Sequence, residues 1–283
     1  MNDLSETQTY HPPVVKLLTL GDVRGKGDWL DYQAACGLTE ADIPELIRMV
    51  QDEELNWADE DSDEVWAPLH AWRALGQLQA VEAIIPLVKL LSRIDEHVNH
   101  DWEQSELPEV LAMIGPDALP SLEGFLVNPR HGDFSRWAAA EAIQKIGERY
   151  PDYRAECVAL LTRQLAKYRK QSPTLNGGLV STLYDLQAVE AADTMAAAFK
   201  ANKVDVSILG DWEEVQIKLG LLSERITPAP RRGWLQTQNP TIAKLDQLLS
   251  GNLGEETADP PPKTKYTPKP KPRRKANKKK RRR

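Results

Sequence analysis

The stretch that decides the fold reads VWAPLHAWRALGQLQAVEAIIPLVKLL and spans residues 65–91. Its apolar side chains recur every three to four positions, at Val65, Leu69, Trp72 and Leu75 and then at Ile84, Val88 and Leu91. This spacing is typical of one buried helical face and differs from the alternation of a strand. The stretch therefore predicts two amphipathic helices joined by a short turn, in which Gly76 takes the positive φ of a helix end.

The same pattern recurs along the chain. An apolar residue followed by glycine ends one amphipathic stretch at Cys36-Gly37, Leu75-Gly76, Ile114-Gly115, Ile146-Gly147 and Leu219-Gly220, and Leu186-Gln187 holds the matching place. The second residues of neighbouring dipeptides in this series lie 32 to 40 residues apart. One such helix pair is too small to bury its own apolar face, whereas stacked pairs share a continuous core. The period predicts an all-α fold, an α-solenoid of about six HEAT/armadillo-like helix pairs.

Proline positions indicate where the second helices of the pairs begin. Ile43-Pro44 and Leu119-Pro120 open apolar runs, as expected for proline in a first helical turn. In the second pair, a helix that begins near Gln79 meets Pro86 in its interior, which predicts a kink.

Composition divides the chain into four segments. We expect an irregular N-terminal segment over 1–27, the HEAT-like repeat solenoid over 28–227, a Pro-interrupted segment with a short helix over 228–250, and a disordered Pro/Lys/Arg-rich tail over 251–283.

In the first segment, an apolar run over 14–20 would suit a strand before Gly21 and Gly25, as in a phosphate loop. Three residues rather than four separate these glycines, which disfavours a nucleotide site.

The pattern resembles the HEAT-like repeats of the phycobilisome-lyase type, and more closely a bacterial family of uncharacterised HEAT-repeat proteins. The stretches that carry the resemblance are ADIPELIRMVQDEELNW (41–57), residues 65–91, ELPEVLAMIGPDALPSLEGFL (106–126), NGGLVSTLYDLQAVEAADTMAAAF (176–199) and GDWEEVQIKLGL (210–221). The resemblance covers about residues 10–227 and implies a helical repeat fold. Some similar bacterial proteins end in a Cys-rich zinc motif, but this tail has no cysteine, so that function is not implied.

Net charge separates the body of the chain from its tail. The chain has 36 Lys+Arg and 42 Asp+Glu, a net charge of −6. Residues 260–283 hold 13 Lys or Arg and no acid, so residues 1–259 carry 23 basic and 42 acidic side chains, a net of −19. This asymmetry indicates an acidic body with a basic arm for electrostatic contact.

Composition also excludes several classes of protein. Two cysteines are too few for a disulfide scaffold or a Cys-rich zinc module. The longest uncharged apolar run, residues 83–88, is far shorter than the ~18 residues of a membrane span. The first residues lack the apolar stretch of a secretory signal. We therefore expect a cytoplasmic protein without a membrane span.

Three groups of charged residues are candidate partner-binding sites. Basic residues of the second helices would line the concave face of the solenoid: Arg48, Lys89, Arg93, Arg163 and Lys167. An acidic stretch would dock a basic partner or the chain's own tail, or would be a solvated loop: Asp52, Glu53, Glu54, Asp59, Glu60, Asp61, Asp63 and Glu64. The tail would bind nucleic acid or another polyanion without sequence preference through Lys269, Lys271, Arg273, Arg274, Lys275, Lys278, Lys279, Lys280, Arg281, Arg282 and Arg283.

Residues with catalytic or metal-binding chemistry are better explained by other roles. His97 and His100 have i, i+3 spacing beside carboxylates, but a solvated loop is favoured over a metal site, because the His-Glu dipeptides of HEAT-like hydroxylases do not occur. His70 is expected to be a packed or hydrogen-bonded histidine, and Cys36 and Cys157 to be core thiols. The sequence thus predicts no catalytic residue, no metal and no cofactor.

The favoured function is a non-enzymatic scaffold that binds a protein partner. One or more tryptophans near helix ends would anchor that partner: Trp29, Trp57 and Trp102. One alternative is a phycobilin-lyase-like or other enzyme accessory subunit, which only the resemblance implies. The other is a nucleic-acid- or ribosome-associated protein that acts through the tail, because a body at −19 opposes nucleic acid.

Overall fold

The computed structural model describes residues 10–24, 28–59, 61–96 and 101–228. Secondary structure in these ranges is helical and contains no strand, which confirms the predicted all-α class. They belong to one unit of the chain, Met1–Ala229. The segments predicted for 228–250 and 251–283 lie outside the described residues, apart from residue 228.

The helices follow one another as pairs with short connections. The first pair is α1 (Tyr32–Cys36) and α2 (Ile43–Val50), which leads into the short α3 (Glu53–Asn56). Next come α4 (Ala67–Gln77) with α5 (Ile84–Leu90), the short α6 (Arg93–Glu96), and α7 (Asp101–Ile114) with α8 (Leu119–Val127). Then follow α9 (Asp133–Arg149) with α10 (Arg154–Leu165), α11 (Pro173–Asp185) with α12 (Ala192–Lys200), α13 (Val206–Leu209) and α14 (Trp212–Lys218).

Each pair packs against its neighbours in the chain. α4 contacts α2 on one side and α7 on the other, and α9 contacts α7, α8, α10 and α11. The buried apolar side chains of these helices form one continuous cluster. Burial shared between successive pairs explains how helices as short as α1 and α5 are stabilised, since isolated helices of that length are marginal in water.

A 3₁₀ turn precedes the second helix of each pair. These turns are Glu40–Asp42, Val81–Ala83, Pro116–Ala118, Pro151–Tyr153 and Val189–Ala191. Because the turn comes first, α5 begins at Ile84, and the predicted start near Gln79 is wrong. Pro86 therefore lies in the first turn of α5, where its missing N–H costs little, and the basis for the predicted kink disappears.

Two of these connections have the same sequence, Leu-Gln-Ala-Val-Glu-Ala, over residues 78–83 and 186–191. The glutamine of each takes a left-handed φ of 51°, at Gln79 and at Gln187. The alanine that follows donates its N–H back into the helix, from Ala80 to the Leu75 carbonyl (3.0 Å) and from Ala188 to the Leu183 carbonyl (2.9 Å). Both are Schellman-type helix ends, so the two turns match in sequence and in backbone conformation.

The glycines of the recurrent apolar-Gly dipeptides have two different roles. Gly37, Gly115 and Gly220 have positive φ at helix ends, as predicted. At Gly76 and Gly147 the prediction is wrong, because α4 and α9 continue through them. A Cβ on Gly147 would lie 2.9 Å from the Leu186 side chain and 3.1 Å from that of Cys157, so this glycine permits close packing of α9 against α10 and against the end of α11.

The helix α4 is enclosed on all sides, since ten consecutive residues from Ala67 to Gly76 are buried. Two of them are charged or ionisable. The Arg73 Nε donates to the Glu106 carboxylate of α7 at 2.7 Å, and a second Arg73 nitrogen donates to its other oxygen. The Trp72 indole N–H donates to the same carboxylate at 3.2 Å. This buried ion pair joins the second helix pair to the third.

His70 on α4 is a packed, hydrogen-bonded histidine, as predicted. Its Nδ1 lies 2.7 Å from the Tyr32 hydroxyl and its Nε2 lies 2.9 Å from the Gly21 carbonyl. Burial raises the pKa of Tyr32 to about 12, so the phenol stays protonated and can donate to the imidazole. Val14–Thr19 forms a 3₁₀ helix that packs against α4. The possible strand over 14–20, which a phosphate loop would need, is therefore not formed.

Removing one partner of the buried ion pair is expected to destabilise the fold strongly. Glu106→Ala would leave the Arg73 guanidinium buried without its carboxylate, and breaking such a pair costs about 3–5 kcal/mol. Chemical unfolding measures this loss. The double variant Arg73→Met/Glu106→Met removes both charges and should recover most of the lost stability. A double variant as unstable as the single one would contradict this account.

A second stability prediction concerns Glu141 on α9. Burial raises the pKa of Glu141 from 4.5 to about 7, Lys145 opposes the rise and Asp185 adds to it. The folded chain therefore binds more protons than the unfolded chain between these values, and the free energy of unfolding should fall as pH rises through them. Glu141→Gln should reduce this pH dependence and be more stable than wild type at pH 8 in urea unfolding. The exposed Glu156→Gln on α10 is the control and should keep the wild-type profile.

Candidate functional site

Within the described residues a groove runs along α2, and we call it the α2 groove. It consists of two pockets, of about 850 and 470 Å³, which share Pro44 and Ile47 in their lining. The larger pocket is completed by Glu40, Ala41, Ile43, Leu78, Gln79, Ala80, Val81 and Glu82. The smaller pocket is completed by Arg48, Gln51, Asp52, Glu53 and Glu54. The groove therefore lies at the junction of the first and second helix pairs.

The larger pocket combines an apolar wall with an acidic rim. Ile43, Pro44 and Ile47 enter it from α2. Val81 comes from the 78–83 turn, and 49% of its surface is exposed. Carboxylates of Glu40 and Glu82 stand exposed at the edge, and no ion pair involves either of them within the ranges described.

The smaller pocket is shaped by the start of α3. Asp52 caps this helix, because its carboxylate accepts the backbone N–H groups of Glu54 (3.0 Å) and Leu55 (3.3 Å). The same carboxylate accepts the Tyr10 hydroxyl at 2.6 Å, which ties the N-terminal segment to this point. Glu53 and Glu54 follow with exposed side chains. Acidic groups therefore flank the apolar wall of the α2 groove at both ends.

The structure brings only part of the predicted acidic stretch to the groove. Asp52, Glu53 and Glu54 line it. The remaining described members are exposed outside its lining: Asp59, Asp61, Asp63 and Glu64. Glu60 lies outside the described residues.

The candidate tryptophan anchors differ in exposure. Trp57, which lies within the acidic stretch, has 60% of its surface exposed. Trp29 packs below the Arg73 guanidinium at 4.8 Å, and Trp102 packs edge-on to Trp66.

The five predicted basic residues do not line one common pocket in the part of the chain that the structure describes. Arg48 lines the smaller pocket, pairs with Glu45 at 2.8 Å and lies over the Tyr10 ring at 4.2 Å. Three of the other basic side chains bind a side chain that is close in the chain or on a contacting helix. These contacts are Arg93 to Asn56 (3.1 Å), Arg163 to Glu123 (2.9 Å) and Lys167 to Gln164 (3.0 Å). Lys89 is exposed. The predicted tail residues, 269–283, lie outside the described residues.

Groups suited to metal binding or thiol chemistry are not gathered at the groove. In the described ranges, no set of three or more His, Cys, Asp and Glu is arranged to hold a metal ion, and His97 and His100 fall outside those ranges. Both cysteines are buried, as predicted. Burial raises the pKa of Cys157 to about 11, which keeps this thiol protonated.

Sequence reasoning missed the residues that form the larger pocket. Glu40, Glu82 and Val81 stand in connections rather than in a conspicuous charge run. For Val81 and Glu82 the available sequence signal is the hexapeptide that occurs at both 78–83 and 186–191, whereas Glu40 lies outside it.

Among the described residues, no single helix is long and apolar enough to cross a bilayer. Trp102–Ile114 and Pro116–Val127 pass that test only together, with a bend of 114° between them.

A comparison of the chain with protein-family models, curated proteins and solved structures finds no match. The groove is therefore interpreted from its own geometry and charge.

Proposed function

We propose that residues 28–227 form a HEAT-like α-solenoid that acts as a non-enzymatic scaffold, and that the α2 groove binds a basic segment of a protein partner. The repeat proposal is supported by the order of first helix, turn, 3₁₀ turn and second helix, and by contacts between successive pairs. The binding proposal replaces the predicted contact along the whole concave face with a contact at one place, the junction of the first and second helix pairs. Arg48 is the only residue of the predicted basic set in the lining that the structure describes.

The observation that carries the binding proposal is the combination of an apolar wall with carboxylates at both ends. Ile43, Pro44 and Ile47 offer apolar surface, Glu40 and Glu82 border one end, and Glu53 and Glu54 border the other. A segment with an apolar centre and flanking cations would match both features. Because residues 1–259 carry a net charge of −19, the body also attracts basic partners over a distance and repels polyanions.

Two other functions stay predictions. Polyanion binding by the tail concerns residues outside the described ranges. The accessory role in phycobilin attachment depends on the repeat resemblance, and a shared fold does not transfer an activity.

A peptide-display selection on the full chain tests the groove. We expect selected peptides to combine Lys or Arg with apolar residues, and Val81→Lys to weaken their binding by about tenfold or more, because it puts a cation among the apolar contacts and next to Glu82. The matched control is Val189→Lys. Val189 stands in the identical turn with 48% of its surface exposed, against 49% for Val81, but it does not line the groove.

The two variants separate the groove from general electrostatic attraction. Both change the net charge equally, so only a specific site distinguishes them. Peptides that bind both variants as they bind wild type would overturn the proposal, and so would a selection without enrichment of basic residues.

A further inference from the structure

The second copy of the repeated turn holds an arginine side chain. Arg154, the first residue of α10, donates from Nε (3.0 Å) and Nη2 (2.8 Å) to the Leu186 carbonyl, and from Nη2 to the Gln187 carbonyl (3.0 Å). Its Nη1 pairs with the Glu190 carboxylate at 2.8 Å. This hydrogen bond lowers the pKa of Glu190. One guanidinium thus satisfies two carbonyls at a helix end and one carboxylate.

The first copy of the turn presents the same acceptors without such a side chain. Leu78, Gln79 and Glu82 correspond to Leu186, Gln187 and Glu190 in sequence, and the glutamines share the φ of 51°. Among the described residues, no hydrogen bond to the Leu78 or Gln79 carbonyl and no ion pair of Glu82 is found. The polar groups that Arg154 satisfies in one copy thus have no corresponding partner among the described residues in the other.

The difference between the copies comes from a single position on the preceding helix pair. Arg154 directly follows the 3₁₀ turn Pro151–Tyr153, and the residue that directly follows the matching turn Glu40–Asp42 is Ile43. Ile43 is 8% exposed and has no donor to offer. The space next to it is the larger pocket of the α2 groove.

We infer that this pocket receives an arginine side chain from the basic segment of the partner. The guanidinium donates to the Leu78 and Gln79 carbonyls and pairs with Glu82, as Arg154 does at the second copy. This inference rests on the proposed function and names the side chain that the groove recognises. Glu40 adds a second carboxylate at the rim, where the second copy has Pro151.

Arginine fits this site better than lysine. Its planar fork presents several N–H donors at fixed angles, so it can bridge two carbonyls and a carboxylate at once, whereas an ammonium group is a compact point charge. The carbonyls at the end of α4 also favour a cation, since the C-terminal end of a helix carries partial negative charge. Its aliphatic stem would lie along Ile43 and Pro44.

Fluorescence anisotropy with the full chain tests the inference. The probe is a labelled peptide from the display selection that contains one arginine, compared with the same peptide carrying citrulline, which keeps the shape and loses the charge. We expect the citrulline peptide to bind at least about tenfold more weakly, with lysine in between. Glu82→Gln should weaken the arginine peptide by a similar factor and reduce the discrimination between arginine and citrulline.

The matched control is Glu190→Gln. It makes the same chemical change in the same hexapeptide, but Arg154 already occupies that copy. We expect the affinity for the arginine peptide to be unchanged in this variant, and circular dichroism to show that both variants keep the helical fold.

The outcomes separate the two proposals. If peptides bind in a Val81-dependent way but citrulline and Glu82→Gln have no effect, the groove binds basic segments and the arginine site is wrong. If no basic peptide is selected, the proposed function fails and the arginine site fails with it. If deleting residues 260–283 strengthens peptide binding by about tenfold, the chain's own arginine-rich tail is the occupant, which overturns the assignment to a partner.

Discussion

The buried ion pair between Arg73 and Glu106 is the interaction on which the arrangement of the helices most depends. α4 is enclosed on every side, so a charge on it loses contact with water and must find an opposite charge in the protein. Glu106 on α7 meets this requirement, and its carboxylate also accepts the Trp72 N–H. His70 links the same helix to α1 and to the N-terminal segment. Polar groups therefore fix how α4 is oriented between its neighbours.

The orientation of α4 in turn determines the α2 groove. The helix ends in the 78–83 turn, so the place where α4 stops sets the positions of the Leu78 and Gln79 carbonyls and of Glu82 opposite α2. The Schellman-type end adds precision, because the hydrogen bonds of Gln79 and Ala80 to α4 leave the turn little freedom. The groove is thus formed by α2 and by a turn that backbone hydrogen bonds hold to α4, which favours a preformed site.

The sequence predicted the helical class, the pairing of helices and the packed role of His70, because these follow from periodic burial that each helix shows by itself. It fails where the outcome depends on contacts between helices or on the backbone conformation of a turn. The local pattern predicts a turn at Gly147 because it does not show the close approach of Cys157 and Leu186. The predicted start of α5 is wrong because an isolated stretch does not reveal that Gln79 takes a left-handed φ. The groove escapes sequence analysis because it belongs to a junction between helix pairs rather than to one helix.

Identical turns acquire different surfaces because each one faces a different neighbour. The hexapeptide supplies two carbonyls and one carboxylate in both copies, and the first residue of the preceding second helix decides whether they are satisfied within the chain. Arg154 closes the junction before α11 and α12, and Ile43 leaves the junction before α4 and α5 open. Such a site needs no new backbone, because the fold already forms its acceptors in a place where an internal guanidinium fits. The excess of acids over bases in residues 1–259 gives the open junction the sign of charge that an incoming arginine requires.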